Sequence, residues 1–372
     1  MKITELRIMH VKPRFSFLKI STDEGLFGYG EAILEGRSRT VEMAVKELEP
    51  HLIDQDPRRI EHLWQAMYRG TFYRGGPIMS SAISGIEQAL WDILGKSLNV
   101  PVYQLLGGAV RDRIRLYRHA RGNDPQSLNA DAKKAVEEGF SMIKWSPQGA
   151  AHILESPGFI RKQVECVEAL RDGIGPDLEL AIDFHGRYSP MAAVQLAKEL
   201  ERFNLSWIEE PVLPQNVDAL LYFRSSVSIP VATGERLYTK WDFREVIEKQ
   251  AAHIIQPDLA HCGGIMEGKK IAAMAEAYYM AIAPHNPLGP INLAASLQLA
   301  ASTPNFFVQE HVTLGEGYLK KPFVHTNGYI DLPMGPGLGI ELDEDAIAEK
   351  QYDGDWDTPR YYHEDDGSVA DW

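Results

Sequence analysis

Six residues capable of chemistry recur at nearly constant spacing: Asp183, Glu209, Glu235, Asp258, His285 and Glu310 are separated by 26, 26, 23, 27 and 25 residues. Each lies at the end of a short apolar run, as in "LELAIDFHG", "LSWIEEPV" and "YYMAIAPHNP". A single carboxylate in that place commonly caps the helix that follows. A series repeating at the length of one strand–helix unit demands more, because in a parallel barrel all such positions reach the same rim, where active sites of that fold lie. Three carboxylates at one mouth repel each other unless a cation sits among them. The donors are oxygen, with no Cys pair and no His-x-x-x-His spacing, and that set selects a hard ion, Mg²⁺ over Zn²⁺.

Two histidines join the acids. His185 follows Asp183 by two positions, so on a continued strand both face the barrel mouth. Asp258 and His285 end successive strands and are expected side by side. There a carboxylate favours the protonated imidazole and fixes its tautomer, making a stronger base. In "WIEEP", alternation lets only one of Glu209 and Glu210 face inward, and the spacing favours Glu209.

The elements that must hold these residues are legible as alternation. From about residue 114, eight short apolar runs ("IRLYRHA", "SMIKWSP", "LELAIDFHG", "LSWIEEPV", "IPVATGE", "AAHIIQPD", "YYMAIAPHNP", "FFVQEHV") are separated by amphipathic stretches such as "AAVQLAKELERF". This pattern predicts a (β/α) barrel, with a doubly wound open sheet as the competing arrangement. Residues 1–115 mix strand and helix patterns, including a hairpin over 15–32 with its turn at Asp23, Glu24 and Gly25, and read as an α+β unit. The barrel is expected over 116–325, and the loop-rich segment 326–372 is expected to pack back on the first unit.

The remaining composition narrows the partners. The chain has 372 residues, 44% of them hydrophobic, and a net charge of −14. Nucleic acids and anionic membranes need basic patches, so neither is expected as a partner. No apolar run approaches the roughly 20 residues of a membrane span. The N-terminus has no signal-peptide pattern, and Cys166 and Cys262 form no CxxC motif. A reducing, cytoplasmic setting fits best.

The segments "FLKISTDEGLFGYGEAILEGR", "FYRGGPI", "ALWDILGK", "AIDFHGR", "IEEPV", "GERLYTKWDF", "QPDLAHCGGI", "APHNPLGPINLAA" and "VQEHV" carry a further signal. Across essentially the whole chain they resemble the enolase superfamily, in the branch that includes mandelate racemase. The resemblance implies an α+β capping domain, formed by the N-terminal region and the C-terminal segment, over a modified (β/α)7β barrel. It implies that Asp183, Glu209 and Glu235 bind Mg²⁺ and that His285 is the general base, strengthened by Asp258. It further implies that His185 is the general acid and that Glu310 steadies an enediolate. The implied activity is dehydration of an aldonic acid. D-galactonate is the first candidate substrate; the alternatives are a gluconate-like or pentonate acid, or a non-catalytic sugar-acid binding role. A homo-oligomer is implied as well. Many members of that branch carry Lys-x-Lys at the end of the second barrel strand. Here the stretch is Lys144-Trp145-Ser146, which leaves His285 as the sole evident base and disfavours racemisation. The role of Lys144 is open, charge neutralisation near the metal being one possibility. Arg14, Phe17, Tyr73, Arg74 and Trp145 are candidates for substrate specificity.

Overall fold

A computed structural model describes every residue except Gln148. The chain opens with an antiparallel sheet of β1 (Ile3–Val11), β2 (Phe15–Thr22) and β3 (Phe27–Glu31). The expected hairpin turn is present, with Gly25 at φ +79°, a conformation glycine adopts without steric cost. Helices α1 (Ser38–Leu48), α2 (Ile60–Arg69), α3 (Pro77–Leu98) and α4 (Val102–Leu105) follow, and α3 packs along β3. The approach is close enough that a Cβ on Gly30 would lie 1.8 Å from the Gly85 carbonyl oxygen, so glycine is required there.

After β4 (Arg113–Arg115), strands and helices alternate. They are β5 (Arg118–His119), α5 (Pro125–Glu137), β6 (Met142–Trp145), α6 (Pro157–Ile174), β7 (Glu179–Asp183), α7 (Pro190–Leu200), β8 (Trp207–Glu209) and α8 (Val217–Ser226). Then come β9 (Val231–Thr233), α9 (Thr239–Glu248), β10 (Ile254–Ile255), α10 (Ile265–Glu276), β11 (Ala281–Ile282) and α11 (Pro290–Ser302). Strands β5 to β11 form one parallel sheet in sequence order. The eighth run is not a regular strand. Phe306 bridges Ile282 and Gln309 bridges Leu116, both in parallel sense, so the segment closes the sheet on itself through single bridges. Closure excludes the open doubly wound sheet. The architecture is a (β/α)7β barrel, its last strand lacking a helix.

The barrel interior is built in layers. Tyr117, Met142, Ala181, Trp207, Ala232, Ile254, Ala283 and Val308 form one buried apolar cluster, with one residue from each of the eight runs. Side chains two residues apart on a strand share a face. The next inward layer toward the strand ends is therefore His119, Lys144, Asp183, Glu209, Gly234, Gln256, His285 and Glu310. An apolar floor thus carries a polar, largely ionisable layer at the mouth.

Beyond the barrel lie β12 (His325–Thr326), β13 (Tyr329–Asp331) and α12 (Glu344–Ala348). Strand β13 pairs with β4. The chain then returns to the N-terminal sheet: the Lys12 N–H donates to the Lys350 carbonyl, and Glu344 accepts from Lys19 Nζ at 2.6 Å and Tyr29 Oη at 2.7 Å. Among the described residues no helix is long and apolar enough to cross a membrane.

Candidate active site

Asp183, Glu209 and Glu235 come from the ends of β7, β8 and β9, and carboxylate oxygens from all three lie within 4.8 Å of one another. Two oxygens bound to one Mg²⁺ at about 2.1 Å can be at most about 4.2 Å apart, so small side-chain rotations suffice to share an ion. Glu235 Oε2 is buried and accepts no hydrogen bond among the described residues. A buried, orphaned carboxylate oxygen facing two others is what a cation ligand looks like before its cation is added. The residues present fit a hard divalent ion.

Lys144 resolves part of the same problem. Its buried Nζ lies 2.7 Å from Glu209 Oε1, 3.0 Å from Glu310 Oε1 and 3.3 Å from Asp183 Oδ2. Burial works against the ammonium, but Glu209 and Glu310 outweigh it and hold its pKa well above the ordinary value. Burial likewise works against ionised Asp183, yet His185 and Lys144 keep its carboxyl low, at about 2. Glu209 goes the other way: burial and the charge of Asp183 push it up to about 8 despite Lys144. Of the roles left open for Lys144, the geometry favours charge neutralisation.

The two imidazoles flank the acids. His285 Nδ1 is 2.8 Å from Asp258 Oδ2, as the strand order implied, while its Nε2 is 3.4 Å from Glu235 Oε2 and 3.8 Å from Glu310 Oε2. Burial disfavours the charged ring, but Glu235, Glu310 and Asp258 together raise its pKa well above the usual value. Asp258 is fixed in turn, since Asn292 Nδ2 donates to its Oδ1 at 3.0 Å and the Ala260 N–H at 2.8 Å. Asn292 also accepts from Gln88 of α3, and its N–H donates to Glu31 of β3, so the cap reaches the base through buried hydrogen bonds.

His185 Nε2 stands 3.2 Å from Asp183 Oδ2, as expected, but for a different reason. Strand β7 ends at Asp183, and His185 adopts φ +51°, so strand alternation does not orient it. The turn is set instead by hydrogen bonds: Arg236 Nη2 donates to the His185 carbonyl, the Gly186 N–H to the Glu210 carbonyl, and the His185 N–H to Asp183 Oδ1. Burial lowers the pKa of this ring, only partly offset by Asp183 and Glu235. An anionic substrate beside it acts in the opposite direction.

Glu210 also corrects the alternation argument. Its backbone turns at φ +39°, and its carboxylate is buried against Arg236 at 2.5 Å. Burial and the nearby charge of Glu235 push it up to about 8. Of the two glutamates in "IEEP", Glu209 joins the acid trio as expected, while Glu210 has left the strand and pairs with Arg236. Glu310 accepts from the Asn286 N–H at 2.7 Å and pairs with His119 Nε2 at 2.8 Å. His119 was missed. Its signal was present, since it lies two residues beyond Tyr117 in the inward register.

The expected specificity residues separate. Phe17 is fully buried against Phe15 and Tyr318 and belongs to the core, not the pocket. Trp145 is buried, its indole donating to the Gly122 carbonyl at 3.2 Å. Tyr73 and Arg74 are exposed. Arg14 does reach the barrel: it pairs with Glu35 and donates to the Pro287 carbonyl at 2.7 Å, two residues past His285. A cavity of about 1080 Å³ is lined by Gly186–Pro190, segment 151–154, His363 and tail residues 368–371, and by none of the acids or histidines of the barrel mouth.

Comparison with known proteins identifies the family. Residues 7–107 match the mandelate racemase/muconate lactonizing enzyme N-terminal domain, and residues 127–346 match the enolase C-terminal domain-like family. This chain belongs to the enolase superfamily. Within it, the curated D-galactonate dehydratases of Cronobacter sakazakii and Pectobacterium atrosepticum are 46% identical over 383 residues and 45% over 384, each alignment covering both chains fully. Among solved superfamily structures, a mandelate racemase/muconate lactonizing enzyme from Jannaschia sp. CCS1 superposes with a TM-score of 0.90 at 32% identity, covering 95% of this chain and 98% of that one. A mandelate racemase/muconate lactonizing enzyme-like protein from Roseovarius sp. TM1035 gives 0.90 at 32%, covering 96% and 98%.

Proposed function

We propose that this protein is a Mg²⁺-dependent hydro-lyase that converts D-galactonate to 2-dehydro-3-deoxy-D-galactonate. The observation that carries the reading is the trio of Asp183, Glu209 and Glu235 within 4.8 Å, with an imidazole on either side. Full-length identity to enzymes named D-galactonate dehydratase supports the choice of acid. Asp183, Glu209 and Glu235 hold the ion. When bound, Mg²⁺ draws negative charge from the substrate carboxylate as the neighbouring proton is lost.

The residues of the chain do the rest. His285 Nε2 takes the α-proton, and Asp258 holds the opposite nitrogen and stabilises the imidazolium that forms. The carbon acid is too weak for imidazole alone, so stabilising the enediolate supplies most of the barrier reduction; the Lys144 ammonium supplies positive charge there, and Glu310, which Lys144 and His285 hold ionised despite its burial, steadies the enediolate only once it carries a proton to donate. His185 Nε2 gives its proton to the departing C3 hydroxyl, which leaves as water. The enol then takes a proton at C3 and becomes the 2-keto acid. Proton-transfer steps of this kind contribute about 10²–10⁴-fold each.

We place this activity in the cytoplasm, in keeping with two buried, unpaired cysteines, and in a homo-oligomer, as the family implies. The test is turnover of an aldonic acid panel with Mg²⁺ in D₂O, followed by detection of 2-keto product. The expected result is product from D-galactonate bearing deuterium at C3. Turnover of another acid alone overturns the substrate. Absence of both product and α-proton exchange across the panel overturns the enzyme and leaves a sugar-acid binding protein.

A further inference from the structure

Away from the barrel mouth, His152, His363 and Asp365 bring ligand atoms within 4.8 Å of one another. We propose that they form a second cation site, for a borderline dication of the Zn²⁺ type, which clasps the C-terminal hairpin to the segment before α6. The donor set decides the class of ion. Two imidazole nitrogens and one carboxylate oxygen suit Zn²⁺ and its neighbours, whereas Mg²⁺ prefers an all-oxygen shell. Nitrogens bound to one Zn²⁺ at about 2.0–2.1 Å lie at most about 4.2 Å apart, so closure needs only a small approach, together with a turn of one imidazole out of its stack so that both lone pairs aim at the ion.

Both halves of the site are built. His152 belongs to segment 149–156, where its N–H donates to Glu155 Oε1 at 2.7 Å and Ser189 Oγ anchors the Ile153 carbonyl. His363 and Asp365 sit on a hairpin in which Tyr362 bridges Val369. That hairpin is closed by hydrogen bonds from the His363 N–H to the Ser368 carbonyl and from the Gly367 N–H to the His363 carbonyl, both 2.9 Å. Asp366 is engaged by Ser368 through both its N–H and its hydroxyl, leaving Asp365 as the carboxylate available to an ion. The two imidazoles stack with centroids 4.2 Å apart and planes 23° from parallel. His363 Nδ1 is shielded from solvent and has no hydrogen-bond partner among the described residues. A shielded, unpartnered imidazole nitrogen beside a second imidazole and a free carboxylate fits a metal ligand better than a packing residue.

The site has a consequence for the mouth. The same hairpin leads to Trp372, whose ring lies 5.6 Å from that of His185, and Arg187 stacks over Tyr361 at 5.2 Å. An ion on His152, His363 and Asp365 therefore fixes the strap that covers His185. None of this depends on the identity of the substrate.

The experiment is calorimetric titration of chelator-treated protein with Zn²⁺ in excess Mg²⁺, comparing the unmodified chain with His152→Ala, His363→Ala and Asp183→Asn. The expected result is one Zn²⁺ per chain for the unmodified protein and for Asp183→Asn. Each histidine variant should bind at least about tenfold more weakly, the scale on which even outer ligands of metal sites matter. Zn²⁺ should also slow proteolytic cleavage within 351–372 in the unmodified chain and not in His363→Ala. Unchanged binding in both histidine variants, loss of binding in Asp183→Asn, or cleavage indifferent to Zn²⁺ overturns the proposal.

Discussion

Lys144→Met tests the electrostatics of the mouth most directly, because it removes the cation and leaves the length of the side chain. Lys144 Nζ faces three carboxylates at 2.7, 3.0 and 3.3 Å. At an effective dielectric of about 20, one such pair near 3 Å is worth roughly 5–6 kcal/mol before desolvation. Removing one partner of a buried pair costs about 3–5 kcal/mol net, a large share of a total stability of about 5–15 kcal/mol. The acids can escape part of that cost by binding protons. Glu209 is already pushed up to about 8 by burial and Asp183, and loss of the ammonium drives it higher. A carboxyl raised on folding holds its proton in the native state and not in the unfolded chain between the two pKa values, so stability falls as pH rises through that window. Below about pH 8 both proteins hold that proton and their slopes match, so the loss from the substitution should be larger at pH 9.5 than at pH 6. Mg²⁺ supplies positive charge in the same place, so the variant should bind it more tightly and recover more stability from it; saturation at 100 times Kd adds about 2.7 kcal/mol. Urea unfolding in chelator and in excess Mg²⁺, at both pH values, measures all of this. A loss independent of pH and of Mg²⁺ would mean that Lys144 acts by shape alone, and the reasoning fails.

Three further outcomes follow from the same geometry. His285→Asn should reduce turnover by at least about 10²–10⁴-fold while leaving Mg²⁺ affinity largely unchanged by calorimetry; loss of metal affinity would assign the ring to the ion instead. Asp258→Asn removes a charge that raises the His285 pKa, so the acid limb of kcat/KM should move to lower pH with a lower plateau, and an unmoved limb would break the pairing. Mg²⁺ binding at pH 7 should release about one proton or more, because Glu209 is raised to about 8 and must be ionised to ligate; calorimetry in buffers of different ionisation enthalpy reads this, and zero release refutes it.

The barrel was legible because its strands are buried on both faces and so appear as short apolar runs separated by amphipathic helices. Closure was harder to see. The run "FFVQEHV" resembles its seven predecessors, yet it joins the sheet only through Phe306 and Gln309. Phe17 misled for a related reason. It stands opposite Glu31 of β3, yet its ring packs on Phe15 and on Tyr318 from far along the chain, a contact no local pattern reveals.

Strand geometry made most of the candidate site legible, while Glu235 and Asp258, which lie past Gly234 and Gln256 of the inward register, were legible only from the spacing between units. Asp183, Glu209, His285 and Glu310 each stand two residues beyond a member of the apolar floor, and the same rule applied to Tyr117 and Met142 yields His119 and Lys144. His185 and Glu210 obey no such rule, since both have left the extended conformation, at φ +51° and +39°. A left-handed non-glycine residue costs about 1 kcal/mol or more and persists only where its surroundings hold it. Here the surroundings are Arg236, which grips the Glu210 carboxylate with one edge of its guanidinium and the His185 carbonyl with Nη2. The placement of the acid at the mouth therefore depends on a side chain 51 residues away in sequence. That dependence is why two positions of apparent alternation gave the right neighbour for Asp183 through the wrong geometry.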